Sequence, residues 1–352
     1  MNTAIFAFTR QGIETARRIR QSVGGRLLVP ARLARETCET CEACEVCEAS
    51  EVCETYGDDL PGFVGSVFEW DALVFVGAAG IAVRAVAPHV RDKRSDPAVL
   101  CVDERARFVV PLLSGHIGGA NRLAVRLAGA LGATPVITTA TDVNGRFAVD
   151  AWAAERGFLI ADMALAKRVS AEILTGEIPL CADVPVNSDL PDGLVPGDSG
   201  PLGICVTTRL RRPFEATLAI VPRALRVGIG CRRGTPPEAI DALIERAFAE
   251  HGLRSDAVRE AASIDLKADE AGLIALCEAR GWPLRLYTAE QLAAVPGDFS
   301  ASEFVKRAVG VGNVCERAAM AGGGRLVVPK TAENGVTVAV AEMKWGIDFG
   351  EA

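Results

Sequence analysis

The chain has 352 residues, of which 49% are hydrophobic, 24% charged and only 5% aromatic, with a formal net charge of −7. That length suffices for two or three domains, and a core drawn mainly from Ala, Val, Leu and Ile suits sheets covered by Ala-rich helices. The acidic balance speaks against a nucleic-acid partner. No apolar run is long enough to span a bilayer, and no basic-then-apolar leader opens the chain, so a cytoplasmic protein is expected.

Residues Thr3 to Phe8 read as a buried strand. Thr9-Arg10-Gln11-Gly12 makes a turn, with Thr9 the expected N-cap of a helix over Ile13 to Val23. Arg26 to Pro30 is a second strand candidate. Then comes a Cys-Glu-X repeat from Glu36 to Glu54, holding Cys38, Cys41, Cys44, Cys47 and Cys53, five of the eleven cysteines. A period of three fits neither strand nor helix face. The repeat reads either as a solvated insertion or as soft-metal capture, and it lacks partner histidines.

From Asp71 the pattern sharpens into strand Leu73 to Val76, turn Gly77 to Gly80 and helix Ile81 to Val90. Val99 to Val102 and Phe108 to Leu113 follow as strands. The polar loop Ser114-Gly115-His116-Ile117-Gly118-Gly119-Ala120-Asn121 leads into helix Leu123 to Leu131 and strand Pro135 to Thr139, the order of a parallel βαβ unit. Next come helices over Val149 to Arg156 and Met163 to Leu174. The Pro-, Asp- and Gly-rich stretch Asp183 to Pro201 reads as a loop or small β element, and a linker is expected at Val221-Pro222-Arg223. Strand Leu225 to Ile229, loop Gly230 to Gly234 and a helix from Thr235 open the last region; Pro236 stands at its first position and Thr235 with Glu238 fits a capping box. Beyond it lie further α and β segments, Ala257 to Ile264, Ala268 to Ala279, Leu284 to Tyr287 and Leu326 to Val328, with Lys267 and Glu270 an i, i+3 pair that would support a helix, and Val336 to Ala341 closes as a strand. The expected fold is α/β: an N-terminal open, mostly parallel sheet with flanking helices (1–140), a small α+β middle region (141–222) and a separate C-terminal α/β domain (223–352).

Loops at the carboxyl ends of parallel strands carry orphan N–H groups that favour anions. Four loops have that placement: Thr9 to Gly12, Gly77 to Gly80, Ser114 to Asn121 and Gly230 to Gly234. None matches a Walker A sequence or the full dinucleotide fingerprint. His116 is the candidate general base and Asn121 a candidate oxyanion partner, the alternative being a packed turn. His89 and His251 read as capping or solvated residues. Arg84, Arg91, Lys93 and Arg94, with Arg232 and Arg233, are either a solvated face or a clamp for carboxylates. Asn313 and Glu316 fit an N-cap and its N3 carboxylate, and Lys330 ends a strand.

The run GAAGIAVRAVAPHVRDKRSDPAVLCVDERARFVVPLLSGHIGGANRLAVRLAGALGATPVITTATD resembles the cobalt-precorrin-5A hydrolase family (CbiG) of anaerobic cobalamin biosynthesis. VGIGCRRGTPPEAI, ASIDLKADEAGL and GVGNVCERAAMAGGGRLVVPKTAENGVTVAVAE are similar to its C-terminal domain, which also occurs separately as CobE. The Cys-Glu-X repeat has no counterpart in that pattern. The resemblance implies a hydrolase that opens the ring-A acetate δ-lactone of a contracted cobalt macrocycle and expels acetaldehyde. Cobalt would arrive within the substrate, leaving no protein cofactor and no protein metal ligands. Neighbouring pathway enzymes are candidate partners. On this footing His116 and Asn121 are the expected catalytic residues, with Glu316 and Lys330 as second choices. Gly77, Gly80, Arg84, Ser114, Gly115, Gly118, Gly119, Arg232 and Arg233 are the expected substrate contacts. A non-catalytic corrinoid carrier and a cobalt-handling protein are the rival readings.

Overall fold

The computed structural model describes residues 1–34, 53–92, 95–300 and 312–350. Two compact units divide between Ala154 and Glu155. The expected middle and C-terminal regions lie together in the second unit, apart from the first residues of the middle region. Most of the Cys-Glu-X repeat, with Lys93, Arg94, Gly310 and Val311, falls outside the described residues.

In the first unit, seven strands lie in the order β3-β2-β1-β4-β5-β6-β7. They are β1 (Thr3–Ala7), β2 (Arg26–Pro30), β3 (Glu54–Tyr56), β4 (Ala72–Val76), β5 (Ala98–Val102), β6 (Phe108–Leu113) and β7 (Thr134–Pro135). Side chains alternate between two cores, as a period of two requires. Ile5, Val74 and Leu100 face helices α1 (Arg10–Val23) and α4 (Ala120–Leu131). Phe6, Leu73, Phe75 and Val99 face α2 (Leu60–Val67) and α3 (Ala79–Val86). Thr9 caps α1 as expected, its Oγ1 accepting from Gly12 N at 3.0 Å. The α3 helix stops at Val86, and residues to His89 form a 3-10 turn. Strand β7 ends at Pro135, its pairing with β6 covering only Phe108 with Thr134 and Val109 with Pro135, so the expected strand to Thr139 is not formed.

One pairing has a consequence for the site. All neighbours in this sheet are parallel except β5 and β6, which are antiparallel. The link of residues 103–107 is too short for a parallel crossover. The carboxyl end of β6 therefore lies beside the amino ends of β4 and β5, opposite the carboxyl ends of β1 and β4.

The second unit holds two five-stranded sheets. The first has the order β10-β9-β11-β12-β8, with β8 (Leu159–Ile160), β9 (Ile178–Ala182), β10 (Leu194–Pro196), β11 (Leu202–Val206) and β12 (Ala216–Val221). The stretch Asp183 to Pro201 thus carries one short strand. The segment Val221-Pro222-Arg223 leads directly into β13 within the same unit.

The other sheet has the order β15-β14-β13-β17-β16: β13 (Leu225–Cys231), β14 (Val258–Ile264), β15 (Leu284–Tyr287), β16 (Arg325–Glu333) and β17 (Val336–Glu342). One face buries Val227, Ile229, Val338 and Val340 against helices Pro237–His251 and Ala271–Arg280. Helix Cys315–Met320 covers the other face. The capping box expected at Thr235 and Glu238 is absent. The helix begins at Pro237 after Pro236, neither of which has an N–H to cap, and the Thr235 hydroxyl donates instead to the Arg232 carbonyl at 2.7 Å.

Candidate active site

The Ser114 to Asn121 loop joins β6 to α4. Ser114 takes a left-handed φ of 56°, a strained value for a residue with a Cβ. Its hydroxyl donates to the Asp96 carbonyl at 2.9 Å, and its own carbonyl accepts from Ala120 N at 3.1 Å. Gly118 must be glycine, because an added Cβ would stand 2.3 Å from the Ser114 Cβ. The turn is fastened at its ends and open at its crown. Among the described residues, no acceptor takes the N–H groups of Gly115, His116, Ile117 or Gly118, which are half-buried. Unpaired N–H groups on a glycine-bearing turn are of the kind that an oxyanion or carboxylate accepts from.

His116 sits between two carboxylates. Its Nε2 lies 2.8 Å from Asp142 Oδ2 and its Nδ1 lies 3.1 Å from Asp150 Oδ1. Asp142 belongs to the short helix Ala140–Val143 and Asp150 to helix Val149–Glu155. The hydrogen bonds to Asp142 and then to Asp150 push the imidazole up to about 9, against the opposing effect of burial. Asp142 is held below the ordinary carboxylate range, first by its hydrogen bond from His116.

The Asn121 amide donates to Thr139 Oγ1 at 2.8 Å and to Asp142 Oδ2 at 3.2 Å. The Thr139 hydroxyl donates to the same Asp142 oxygen. Thr141 Oγ1 lies 3.3 Å from His116 Nε2. This geometry changes two expected roles. His116 has both ring nitrogens engaged, so it is no free base at neutral pH. Asn121 is buried and directs its amide N–H groups at Thr139 and Asp142 rather than at an open oxyanion position. The sequence did not single out Asp142, Asp150, Thr139 or Thr141. The available signal was the place of Thr139, Thr141 and Asp142 in a helix start soon after a strand end, with Asp150 in the first turn of the next helix.

The remaining candidates fall elsewhere. Gly77, Gly80 and Arg84 lie at the carboxyl end of β4, the opposite edge of the sheet from His116, because β6 is reversed. There the Gly77 carbonyl accepts from Cys101 Sγ at 3.2 Å, and Arg84 donates to the carbonyl of Gly80 in its own helix. Arg91 is on the same edge as the His116 loop; its N–H donates to Asp96, the residue that anchors Ser114. His89 meets the Pro61 carbonyl at 2.8 Å and His251 the Ala247 carbonyl at 2.9 Å, both structural placements.

In the second unit, Glu316 is buried and saturated. Its Oε1 accepts from Lys330 N at 2.8 Å; its Oε2 accepts from Ser300 N at 3.0 Å, from the Ser300 hydroxyl and from the Asn313 amide. Asn313 Oδ1 accepts from Glu316 N at 2.9 Å, the cap bond the sequence led us to expect. With both oxygens taken, Glu316 fastens β16 to the residues on either side of segment 301–311. Lys330 enters this cluster through its backbone. Gly234 N donates to Glu270 Oε1 at 2.7 Å, so a carboxylate of the chain already fills that part of the Gly230 to Gly234 loop. Glu270 also takes the expected Lys267 ion pair at 3.0 Å. Arg233 is exposed and pairs with Asp269 at 3.1 Å, while the exposed Arg232 packs its stem on Gly335.

Comparison with known proteins agrees with this architecture. Residues 63–142 match the family description "Cobalamin synthesis G N-terminal" and residues 225–341 match "Cobalamin synthesis G C-terminus". Fold and matched regions together define an α/β protein of the cobalamin synthesis G class. The cobalt-precorrin-5A hydrolase of Salmonella typhimurium is 39% identical over 284 residues, covering 76% of this chain and 81% of that one. The cobalt-precorrin-5A hydrolase of Priestia megaterium is 32% identical over 302 residues, with 78% and 80% covered. Protein CobE of a Sinorhizobium species is 36% identical over 121 residues, 33% of this chain and 79% of its own. The chain belongs to the cobalt-precorrin-5A hydrolase family. Among the described residues, no helix is long and apolar enough to cross a membrane.

Proposed function

We propose that this chain is a hydrolase of cytoplasmic cobalamin synthesis that opens the ring-A acetate δ-lactone of cobalt-precorrin-5A and releases acetaldehyde, giving cobalt-precorrin-5B. Cobalt enters as part of the substrate. The water oxygen bonds the lactone carbonyl carbon, the ring C–O bond breaks, and a water proton passes to the departing alkoxide. Loss of the new hydroxyl's proton then breaks the carbon–carbon bond. Its electron pair passes into the macrocycle, which takes up a proton, and acetaldehyde leaves.

Both steps need a proton acceptor beside donors that stabilise a developing oxyanion. The observation that carries the reading is their juxtaposition: the open N–H groups of Gly115 to Gly118 stand on the same loop as a histidine wedged between two carboxylates. Arg91, on the same edge of the sheet, would hold peripheral carboxylates of the macrocycle. Incubating the full chain with cobalt-precorrin-5A should release one acetaldehyde per macrocycle, and His116→Ala should lose most of that release. A corrinoid bound tightly with no acetaldehyde formed would instead favour the non-catalytic carrier.

A further inference from the structure

A base must present a free lone pair to its proton donor. His116 has none to present: with a carboxylate oxygen at 2.8 Å from Nε2 and another at 3.1 Å from Nδ1, the ring satisfies both only by donating from both nitrogens, as an imidazolium. Asp142 is differently placed. Its Oδ2 accepts from His116, Asn121 and Thr139, yet among the described residues no hydrogen bond reaches its Oδ1. The side chain is 38% exposed, whereas those of His116 and Asp150 are only 18% and 10% exposed. One oxygen is thus fixed by three donors, while the other is left without a partner among the described residues, on a partly exposed side chain that contacts the loop carrying the open N–H groups through His116.

Building on the hydrolase reading above, we propose that Asp142 is the proton acceptor of the reaction through Oδ1, and that His116 and Asp150 are positioning residues that orient it from behind. In the first step Oδ1 takes the proton of the attacking water and returns it to the alkoxide released from the lactone. In the second it takes that hydroxyl's proton as the carbon–carbon bond breaks, and delivers it to the macrocycle or to solvent. The charged groups facing His116 are Asp142 and Asp150, and Asp142 faces His116. Asp142 stays ionised throughout the neutral range, and His116 keeps its proton to about pH 9.

The two candidate bases predict opposite pH profiles in the wild-type chain. With Asp142 as acceptor, kcat/KM for acetaldehyde release is flat through neutral pH and falls as His116 deprotonates near pH 9. With His116 as base it rises through the same range. Asp142→Asn should lower kcat by about 10²–10⁴-fold, the usual contribution of a general base, with KM little changed. Asp150→Asn should move the descending limb to lower pH, because His116 loses one of its carboxylates; a merely structural role would not move it. A rate that climbs through pH 9, or an Asp142→Asn chain with wild-type turnover, overturns the assignment. Wild-type chain that binds corrinoid but releases no acetaldehyde overturns the hydrolase reading itself, and this assignment with it.

Discussion

His116 also couples folding to pH. In the unfolded chain its pKa is the ordinary 6.5, and in the fold it is pushed up to about 9. A group raised on folding stabilises fully below its unfolded value, and that contribution is lost as pH rises through the folded one. Asp142 is lowered from 3.8, so its share is present above that value and lost as pH falls. The two shifts share the His116–Asp142 contact, which is fully charged in the acidic-to-neutral window above the Asp142 range and weakens toward pH 9. Asp142→Asn should therefore lower the Tm at pH 6, with the difference shrinking as pH passes about 9. Thermal denaturation of both chains from pH 5 to 10 checks this, and a Tm gap that stays constant across the range counts against the ion pair. At this scale His116 and Asn121 were legible in the sequence as a dense polar cluster in a glycine loop. Their partner Asp142 was not. It stands 26 residues from His116 and is brought there only when β6, α4 and β7 fold together.

The elements legible in the sequence are those whose local pattern leaves little choice. β1, β2, β4, β5 and β6 are short apolar runs ended by Gly, Pro or charge, and each forms within a residue or so of its expected limits. Strand direction is less plain, and lies in the five-residue link 103–107, too short for a parallel crossover from β5 to β6. That single reversal separates Gly77 and Gly80 from His116. In the second unit β9 and β11 are hard to read, since Pro179 and Gly203 break their apolar runs, while Leu218 to Val221 of β12 is an unbroken apolar run as long as that of Leu73 to Val76. Helix Cys315–Met320 illustrates a choice made by packing alone. It lies so close to β13 that a Cβ on Gly228 would stand 1.9 Å from the Cys315 carbonyl oxygen and 2.7 Å from Ala319 N. Backbone cannot yield as a flexible side chain can, so Gly228→Ala must push the helix off the sheet. We expect a destabilisation of about 3 kcal/mol, at the upper end of ordinary overpacking. Urea denaturation measures it, and a loss below about 1 kcal/mol would mean that the helix shifts freely.

At the scale of whole units, the first buries both faces of its seven-stranded sheet under hydrophobic clusters. Within the second unit the two sheets do not separate cleanly. Ala219 and Val221 of β12 are buried in the same cluster as Leu225, Val227, Phe248 and Leu253. The Thr208 hydroxyl donates to Glu342 Oε1 at 2.8 Å, and Arg254 N donates to the Thr208 carbonyl at 3.0 Å. Asn187 N donates to the Ile347 carbonyl at 3.0 Å, and Leu210 N to that of Gly252 at 2.8 Å. A break at 222/223 therefore uncovers apolar surface and leaves Glu342, which also accepts from Arg325 and Trp345, without its threonine. Burial of a valine side chain contributes about 1.5–3 kcal/mol, and the C-terminal sheet loses its contacts with Val221 and with further residues besides. Residues 223–352 expressed alone should fold, since β13 to β17 and the helices packed on them retain most of their core, but should melt roughly 5 °C or more below residues 155–352. Calorimetry of the two fragments side by side decides the matter: equal melting temperatures would mean that the middle sheet contributes nothing to the stability of its neighbour, and that the shared cluster around Val221 is contact without cohesion.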